Sequence, residues 1–352
     1  MRAVVFEEFG RLPVVRDVPD PVPPPSGAVV RVGATGLCRS DWHGWMGHDD
    51  GISLPHVPGH ELAGRIVALD AAAGNWKVGD RVTVPFVCAC GRCAACAAGD
   101  QQICERQEQP GFTHWGSFAE YVPVHEADVN LVALPEEMSY VTAASLGCRF
   151  ATAYRAVVTR GRAGPGEWVA VHGCGGVGLS AVMIAAAAGA RVVAVDVSPE
   201  ALRLAGRFGA VACVDASGGA EATAAAVREV TGGGAQVSLD ALGAEATCRA
   251  SVECLRRRGR HVQVGLAPAD GFGVSMNRVI ALELDLLGSH GMAAHAYPVM
   301  MAQVRSGRLR PDLLVSEVIG LDAAPAALAA LGEGSGAGIT VIAPQGEDRP
   351  PA

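Results

Sequence analysis

The stretch that decides the fold runs from Trp168 to Asp196 and reads WVAVHGCGGVGLSAVMIAAAAGARVVAVD. Its first five residues, as far as His172, form an apolar run that predicts a buried parallel strand, and the glycine-rich GCGGVG follows directly. An apolar segment of helical length then ends at Gly189, before a second strand that stops at an acid. Strand, glycine turn, helix, strand and acid in this order are typical of a dinucleotide-binding βαβ unit.

Each part of this stretch has a role in holding a dinucleotide. Gly173 makes the tight turn, Gly175 lets the backbone approach the pyrophosphate, and Gly178 lets the helix pack on the strand. Asp196 lies 18 residues beyond Gly178 and would accept hydrogen bonds from the adenosine ribose. Because its carboxylate also repels a 2′-phosphate, NAD is favoured over NADP. The predicted phosphate-binding turn consists of Gly173, Gly175, Gly176, Val177 and Gly178.

Length and composition restrict the class of protein. A chain of 352 residues should hold about two domains, and with 50% hydrophobic residues it can bury a large core. A net charge of −8 argues against a nucleic-acid groove or an anionic membrane surface. The start, MRAVVFEEFG, lacks the order of a signal peptide, so the eleven cysteines indicate metal ligands rather than disulfides. We expect a soluble cytoplasmic protein that acts on a small molecule.

The pattern of the chain changes near residue 150. Before it, short β-like runs broken by glycine and proline predict a mostly antiparallel unit, with strands at 3–6, 29–34, 61–69 and 81–84. After Trp168, strands at 168–172, 191–195, 211–215, 236–240, 260–264 and 284–288 alternate with helices at 178–188, 199–208, 221–230 and 244–257. Six such strands predict an α/β doubly wound parallel sheet of the Rossmann type. We expect it to span 150–289, and the other domain to comprise 1–149 and 290–352.

Four cysteines lie close together in the segment CGRCAACAAGDQQIC. Four thiolates complete a tetrahedral zinc and leave no open position, so the spacing predicts a structural zinc lobe over residues 88–105. Cys88, two residues upstream, is either an inert bystander or an occasional substitute ligand. The predicted ligands are Cys90, Cys93, Cys96 and Cys104.

A second set of metal-ligating residues is spread along the chain. Cys38 lies in GLCRSDWHGWMG, His60 in PGHE and Cys148 in the later GCRF. Two thiolates and a neutral imidazole cancel the charge of Zn²⁺ and leave a fourth position open, which is the catalytic arrangement. Spacing alone leaves open whether these three are unrelated buried residues.

Five motifs carry a resemblance to a known family. CRSDWH, PGHE, the four-cysteine cluster, GCRFATAY and GCGGVG stand in the order found in zinc-dependent medium-chain alcohol dehydrogenases, of the medium-chain dehydrogenase/reductase superfamily. The resemblance covers nearly the whole chain. It implies a GroES-like catalytic domain split by an inserted Rossmann domain, with the active site in the cleft between them. It also implies two zinc ions, one on the four-cysteine lobe and a catalytic one on Cys38, His60 and Cys148.

The resemblance assigns roles to the residues around the catalytic ligands. It implies that Asp41 orients the His60 ring, that Glu61 is the acid beside the metal, and that Arg39 contacts the cofactor pyrophosphate. Zinc lowers the pKa of a bound alcohol, and the released proton must leave a dry site. Ser40 and His43 match the proton relay of the family, although a surface histidine is the alternative for His43.

The family also indicates where the nicotinamide binds. The loops after the fifth and sixth strands correspond to Val264-Gly265-Leu266 and Leu287-Gly288-Ser289, with Thr152 beneath the ring. One departure concerns the pyrophosphate, where the family usually carries an arginine near the C-terminus. This chain has Ile339 at that position, so cofactor binding is weaker unless another cation compensates.

The substrate is the least specified part of the prediction. By position in the family, Trp45 and Phe86 line the substrate cleft with Trp115 nearby, and core packing is the alternative for all three. Aromatic walls favour an uncharged primary alcohol, aliphatic or benzylic, and its aldehyde. The alternatives are a polyol or secondary-alcohol dehydrogenase on the same fold, and a non-catalytic zinc- and nucleotide-binding protein. By analogy with the family we expect a homo-oligomer, tetramer or dimer.

Overall fold

The computed structural model describes residues 1–267, 271, 273–333 and 338–346. They form two compact units. The first comprises Met1–Ala151, Gly291–Met301 and Pro311–Ala352, and the second comprises Thr152–His290 and Ala302–Arg310. Residues 302–310 thus group with the second unit and not, as expected, with the first, because the Arg308 guanidinium donates to the Ala187 carbonyl and the Arg310 N–H to the Met183 sulfur.

The strands of the described residues are numbered in chain order. They are β1 (Arg2–Val5), β2 (Val14–Asp17), β3 (Ala28–Leu37), β4 (Glu61–Leu69), β5 (Arg81–Thr83), β6 (Tyr121–Val124), β7 (Val132–Ala133), β8 (Trp168–His172), β9 (Arg191–Asp196), β10 (Ala210–Asp215), β11 (Ala235–Asp240), β12 (Leu255–Gln263), β13 (Asp285–Gly288), β14 (Val315–Gly320) and β15 (Ile339–Ala343).

The α-helices are numbered in the same way. They are α1 (Arg39–Trp45), α2 (Ala94–Ala97), α3 (Ala127–Asn130), α4 (Tyr140–Ala144), α5 (Ala151–Tyr154), α6 (Gly176–Ala187), α7 (Pro199–Arg207), α8 (Ala220–Thr231), α9 (Glu245–Glu253), α10 (Met276–Leu282), α11 (Tyr297–Arg305) and α12 (Ala324–Ala330). Two π-helical turns, Leu146–Phe150 and Arg155–Arg160, flank α5. No helix in the described ranges is long and apolar enough to cross a membrane.

The second unit is built on one parallel sheet of six strands. Their order is β10-β9-β8-β11-β12-β13, and every neighbouring pair is parallel. The chain therefore starts at the middle of the sheet, builds one half, and returns to build the other, which is the doubly wound order. All five residues of β8 are buried, as expected for a central strand covered on both faces. The predicted Rossmann sheet is confirmed.

Local signals in the sequence set the helix boundaries of this unit. Helix α7 begins where the Ser198 side chain accepts the N–H of Ala201, with Pro199 in its first turn. Helix α9 ends at Glu253, four residues before the predicted end at 257, because β12 already begins at Leu255. The arginines that follow are good helix formers, but they form the irregular start of β12, where Arg258 has a φ of 57°.

The first unit is a mixed β structure. Its main sheet runs β14-β15-β3-β4-β5-β7, and β6 also pairs with β3. All pairs are antiparallel except β14 with β15. Strand β3 ends at Leu37 and β4 begins at Glu61, and these two ends are neighbours because Gly36 pairs with Glu61. The sheet therefore places the residues after β3 beside those before β4.

The glycine turn after β8 yields a stability prediction. A Cβ on Gly178 would lie 1.7 Å from the Gly173 carbonyl oxygen, whereas one on Gly175 meets no atom within 4 Å. We expect Gly178→Ala to lower the melting temperature by several degrees, since overpacking against backbone costs about 1–3 kcal/mol. Gly175→Ala is the matched control and should melt like the wild type. Equal melting temperatures for the two variants would contradict the close helix–strand packing.

Candidate metal centres and cofactor site

The first candidate metal centre lies within the first unit. Its members are Cys38, which follows β3, His60 and Glu61 at the start of β4, and Cys148 in the π-helical turn before α5. One ligand atom from each of these four residues lies within 4.8 Å of all the others. Cys38, His60 and Glu61 are buried and Cys148 is partly exposed. The fold thus brings together three ligands that are far apart in sequence.

Asp41 connects the two segments that carry Cys38 and His60. Its Oδ2 accepts the Cys38 backbone N–H at 2.9 Å, which caps α1. Its Oδ1 accepts the Gly59 N–H at 3.0 Å and contacts His60 Nδ1 at 2.8 Å. The carboxylate is only 1% exposed, so all three contacts are shielded from water. This geometry fits the predicted role of Asp41 in orienting the His60 ring.

The remaining donor atoms fit a metal ion. With Nδ1 bonded to Asp41, His60 Nε2 is buried and has no hydrogen-bond partner. The two thiols interact, which lowers the pKa of Cys38 well below its ordinary value and raises that of Cys148 well above it. A buried imidazole nitrogen without a partner beside two thiols suits a divalent ion, and binding such an ion releases the remaining thiol proton.

Glu61 has a partner that the sequence interpretation missed. Its Oε1 accepts the Arg149 backbone N–H and Nε–H, both at 3.0 Å, and its Oε2 accepts from Nη2. Burial raises the pKa of the Glu61 carboxyl and the adjacent guanidinium acts against that rise. Burial works against the charge of Arg149, but Glu61 raises its pKa above the ordinary value. Gly36 makes room for the pair, since a Cβ there would lie 2.1 Å from Oε2.

One signal in the sequence could have identified Arg149, because a basic residue directly follows the expected ligand Cys148. The other basic residue of interest, expected on the pyrophosphate near the C-terminus, is replaced by Ile339. In the structure Ile339 is fully buried at the start of β15, whose next residue, Thr340, pairs with Leu37. Arg149 thus supplies a cation beside the metal ligands, and its guanidinium is bound to Glu61.

The predicted relay residues lie on α1. Ser40 is partly exposed and its hydroxyl lies 3.8 Å from the Cys38 sulfur. His43 is on the outer side of the helix, and its Nδ1 lies 2.9 Å from Nδ1 of His48. Burial, followed by the repulsion of His48 and Arg39, lowers the pKa of His43 below 6.5. His48, for which no role was predicted, thus lies in hydrogen-bond contact with His43, and the relay itself stays a prediction.

Arg39 begins α1 and is exposed. Its Nη1 donates to the Leu331 carbonyl, and its guanidinium carbon lies 5.1 Å from the centre of the Trp42 ring. The predicted contact of Arg39 with the cofactor pyrophosphate stays a prediction.

Two phenylalanines lie beside His60, one of them expected and one not. Phe86 has its ring centroid 6.2 Å from that of His60, and Phe112, which was not predicted, is closer at 5.2 Å. Trp45 instead packs in the hydrophobic core, 6% exposed, with its indole N–H donated to the Arg11 carbonyl. Trp115 packs against the same core, and its indole N–H binds the Pro55 carbonyl. These contacts favour the core alternative for both tryptophans, and their predicted place in the substrate cleft stays a prediction.

The four-cysteine segment forms the second candidate metal centre. Its sulfurs come within 4.8 Å of one another, with Cys93 at 3.4 Å from Cys96 and 3.8 Å from Cys104. Sulfurs on a tetrahedral zinc are about 3.8 Å apart, given bonds of about 2.3 Å. The N–H groups of Cys90 and Arg106 each point at the Cys104 sulfur at 3.3 Å, as suits a thiolate. Cys88 lies instead in the core of the first unit, where burial raises its pKa to about 12.

The glycine turn of the second unit has the shape expected for a dinucleotide. Gly173 has a φ of 86° and donates its N–H to the Val195 carbonyl. Gly175 caps α6 and faces open space, so its backbone is accessible to a phosphate. Asp196 lies at the end of β9, where its carboxylate accepts the N–H groups of Cys174 at 2.6 Å and Ser198 at 2.8 Å. These bonds fix the acid beside the turn formed by Gly173, Gly175, Gly176, Val177 and Gly178.

The first of the two loops predicted to hold the nicotinamide, residues 264–266, is bound by Asp240, which the sequence interpretation missed. Its side chain accepts the N–H groups of Leu242 and Gly243, and its carbonyl accepts those of Val264 and Gly265. Leu266, in the same predicted loop, is 82% exposed.

Two hydroxyls from this predicted site lack partners. Thr152 Oγ1 and Ser289 Oγ are buried without a hydrogen-bond partner, which suits contacts with a polar ligand. The carbonyl of Gly288, next to Ser289, accepts the Arg160 Nε–H at 2.9 Å.

The buried Glu61–Arg149 pair predicts a non-additive mutant cycle. Arg149→Met should cost about 3–5 kcal/mol of stability, since it leaves Glu61 buried without its cation. Glu61→Gln in that background removes the unpaired charge, so we expect the double variant to be more stable than Arg149→Met alone. Thermal unfolding of zinc-loaded wild type, both single variants and the double variant measures the coupling. Additive losses would contradict it.

Comparison with known proteins identifies the family. Residues 24–136 match the alcohol dehydrogenase GroES-like domain, and residues 176–306 match the zinc-binding dehydrogenase domain. An alcohol dehydrogenase of Geobacillus stearothermophilus is 36% identical over 274 residues, 77% of this chain and 79% of the relative. An NAD-dependent alcohol dehydrogenase of Sulfurisphaera tokodaii is 31% identical over 98% of this chain and 100% of its own.

A solved structure agrees with these matches. The alcohol dehydrogenase of a Thermus species has a TM-score of 0.90 at 33% identity, covering 98% of this chain and 100% of its own. The GroES-like and Rossmann assignments are thereby confirmed, as is the resemblance given by the five motifs. The chain belongs to the zinc-dependent medium-chain alcohol dehydrogenase family.

Proposed function

We propose that the protein is a zinc- and NAD-dependent enzyme that interconverts an uncharged primary alcohol, aliphatic or benzylic, with its aldehyde. The observation that carries the proposal is the set of Cys38, His60 and Cys148, with His60 Nε2 buried and without a partner. Three protein ligands of this kind leave a fourth position for substrate. We also propose the two units as the catalytic and cofactor-binding domains, and a tetramer or dimer as the assembly.

Zinc, when bound, polarises the substrate oxygen and lowers the pKa of its proton. In the first unit, the protein's own residues orient the ligands and carry the released proton away. Asp41 holds the His60 ring in one orientation through Nδ1. Arg149 holds Glu61 by three hydrogen bonds, which keeps this carboxylate from competing with substrate for the open position. Ser40, His43 and His48 provide groups that can pass the released proton toward water.

The cofactor supplies the hydride acceptor, and the second unit binds and orients it. The open backbone at Gly175 and the N-terminus of α6 suit the pyrophosphate. Asp196 suits the ribose hydroxyls and disfavours a 2′-phosphate, which supports NAD over NADP. Thr152 and Ser289 offer hydroxyls for the nicotinamide carboxamide.

The preference for an uncharged substrate rests on Phe86 and Phe112, whose ring centroids lie 6.2 and 5.2 Å from that of His60. A polyol beside such faces would lose hydration from hydroxyls at about 1–3 kcal/mol for each one left unpaired. The test is NAD and NADP reduction with a panel of alcohols. Benzyl alcohol and simple alkanols should exceed sorbitol and threonine in kcat/KM by tenfold or more. A preference for sorbitol would establish the polyol alternative, and no reduction with any alcohol would favour the non-catalytic one.

Metal content gives a further prediction. Two zinc ions per chain should survive dialysis in the wild type. Cys93→Ser should lose one zinc and thermal stability together, because metal binding in a short loop is coupled to folding. Cys38→Ser should also lose one zinc, and with it all turnover, while it melts within a few degrees of the wild type. Turnover in a Cys38→Ser enzyme that has lost this zinc would refute the catalytic assignment.

The His43–His48 pair predicts a shift in pH dependence. Only neutral His43 can accept a proton, so kcat/KM for alcohol oxidation should fall as pH drops through its pKa. His48 is one of the groups that lower this pKa, so His48→Gln should raise it and move the acidic limb to higher pH. His295→Gln, which removes an exposed imidazole on α11's N-terminal side, is the control and should leave the limb in place. An unmoved limb in His48→Gln would exclude His43 from the relay.

A further inference from the structure

A third group of potential metal ligands lies in the first unit, apart from both zinc centres. It consists of Glu108, His114 and His125, each partly exposed. One ligand atom from each lies within 4.8 Å of the other two. The imidazole rings of His114 and His125 have their centroids 5.0 Å apart and are tilted by 45°. Nothing in the proposed dehydrogenase function uses these side chains.

The hydrogen bonding of His114 leaves one nitrogen available. Its Nδ1 lies 3.0 Å from the Trp115 carbonyl oxygen, which can only accept, so Nδ1 carries the proton. Nε2 is then the atom with the free lone pair, and it is buried with no hydrogen-bond partner. A histidine that donates one ring N–H to a carbonyl and presents the other nitrogen is the usual form of a metal ligand. His60 has the same arrangement, with Asp41 in place of the carbonyl.

Glu108 is also held in place. Its Oε2 accepts the Thr113 hydroxyl at 2.7 Å, which orients the carboxylate. Its backbone forms two hydrogen bonds of 2.8 Å with that of Cys88, one in each direction, so the main chain is fixed as well. His125 follows β6 directly, and its ring stacks beside that of His114. The three side chains thus come from two chain segments, and hydrogen bonds position Glu108 and His114 on the first of them.

We propose that Glu108, His114 and His125 form a third metal site, for a divalent transition-metal ion of the class of Zn²⁺ or Co²⁺. Imidazole and carboxylate are ligands that Zn²⁺ takes at bond lengths of about 2.0–2.2 Å. Ligands of a tetrahedral ion then lie about 3.4 Å apart, so the side chains need to close by roughly 1.4 Å at most. A fourth position remains for water.

This site should differ from the two zinc centres in its affinity for metal and in the part of the fold that metal binding stabilises. It has no thiolate and is partly exposed, so it should bind zinc more weakly and lose it on dialysis. An ion there would join the segment from Glu108 to His114 to the end of β6. The same segment continues to Gly116 and Ser117, whose N–H groups bind the carbonyls of Val57 and Gly59 just before His60. Occupation should therefore stabilise the fold around the first metal centre.

The experiment measures metal uptake and does not depend on catalysis. Wild type carrying its tight zinc is equilibrated by dialysis against increasing Zn²⁺, and bound metal is counted by elemental analysis. The variants are His125→Gln and Glu108→Gln, which change partly exposed side chains, with His295→Gln as the control outside the group. Circular dichroism verifies that each variant is folded. Co²⁺ added to zinc-loaded protein reports the same site by its visible absorption.

Wild type and His295→Gln should take up one saturable equivalent beyond the tight zinc, and their melting temperatures should rise with it. His125→Gln and Glu108→Gln should lack that equivalent and the rise, and Co²⁺ should give them no new absorption band. The proposal is overturned if the wild type takes up no further equivalent, or if folded His125→Gln takes it up as the wild type does. Since the readout is metal count and melting temperature, loss of the dehydrogenase assignment would leave this result interpretable.

Discussion

The Asp41 carboxylate is the interaction on which the first metal centre depends. Cys38 and His60 stand at the ends of different segments, and this buried side chain bonds to both. One oxygen caps α1 through the Cys38 N–H, and the other receives the Gly59 N–H and His60 Nδ1. The same group thus ends β3, starts a helix and selects the tautomer of a ligand. The carboxylate that caps the helix is therefore also the group that sets the geometry of the metal ligands.

The second unit could be predicted almost completely because its signals are local. An apolar run before GCGGVG, helices begun by Ser198 or ended by Gly232, and alternating strands determine a doubly wound sheet with little ambiguity. The error at α9 has a physical cause, since Arg256–Arg258 have helical propensity but lie between Leu255 and Arg260, which both pair with β11. Tertiary pairing outweighed local preference there. Strands β2, β6, β7, β14 and β15 of the first unit were missed because they are short or flank turns, and only their pairing partners define them.

The site residues also divide into those that local sequence predicts and those that depend on the fold. The four-cysteine lobe lies within 15 residues and could be predicted from spacing, whereas Cys38, His60 and Cys148 required a family resemblance before the fold brought them together. Neither spacing nor the family resemblance predicted contacts that depend on the three-dimensional fold. These are the contacts of Arg149 with Glu61, of His48 with His43 and of Phe112 with His60. Trp45 shows the limit of a prediction made from a position in a motif. Its position in a motif suggested a pocket wall, but a residue at the end of α1 faces the core where its indole N–H finds the Arg11 carbonyl.

Charge balance links these observations. Two thiolates and a neutral imidazole match the two positive charges of zinc, so the further negative charge of buried Glu61 needs its own compensation. Ile339, buried at the start of β15, carries no charge and cannot contribute to this compensation. Arg149 supplies it from the residue next to Cys148, and its three hydrogen bonds leave Glu61 little freedom to move. Gly36 is then required on β3, because any side chain there would displace Oε2.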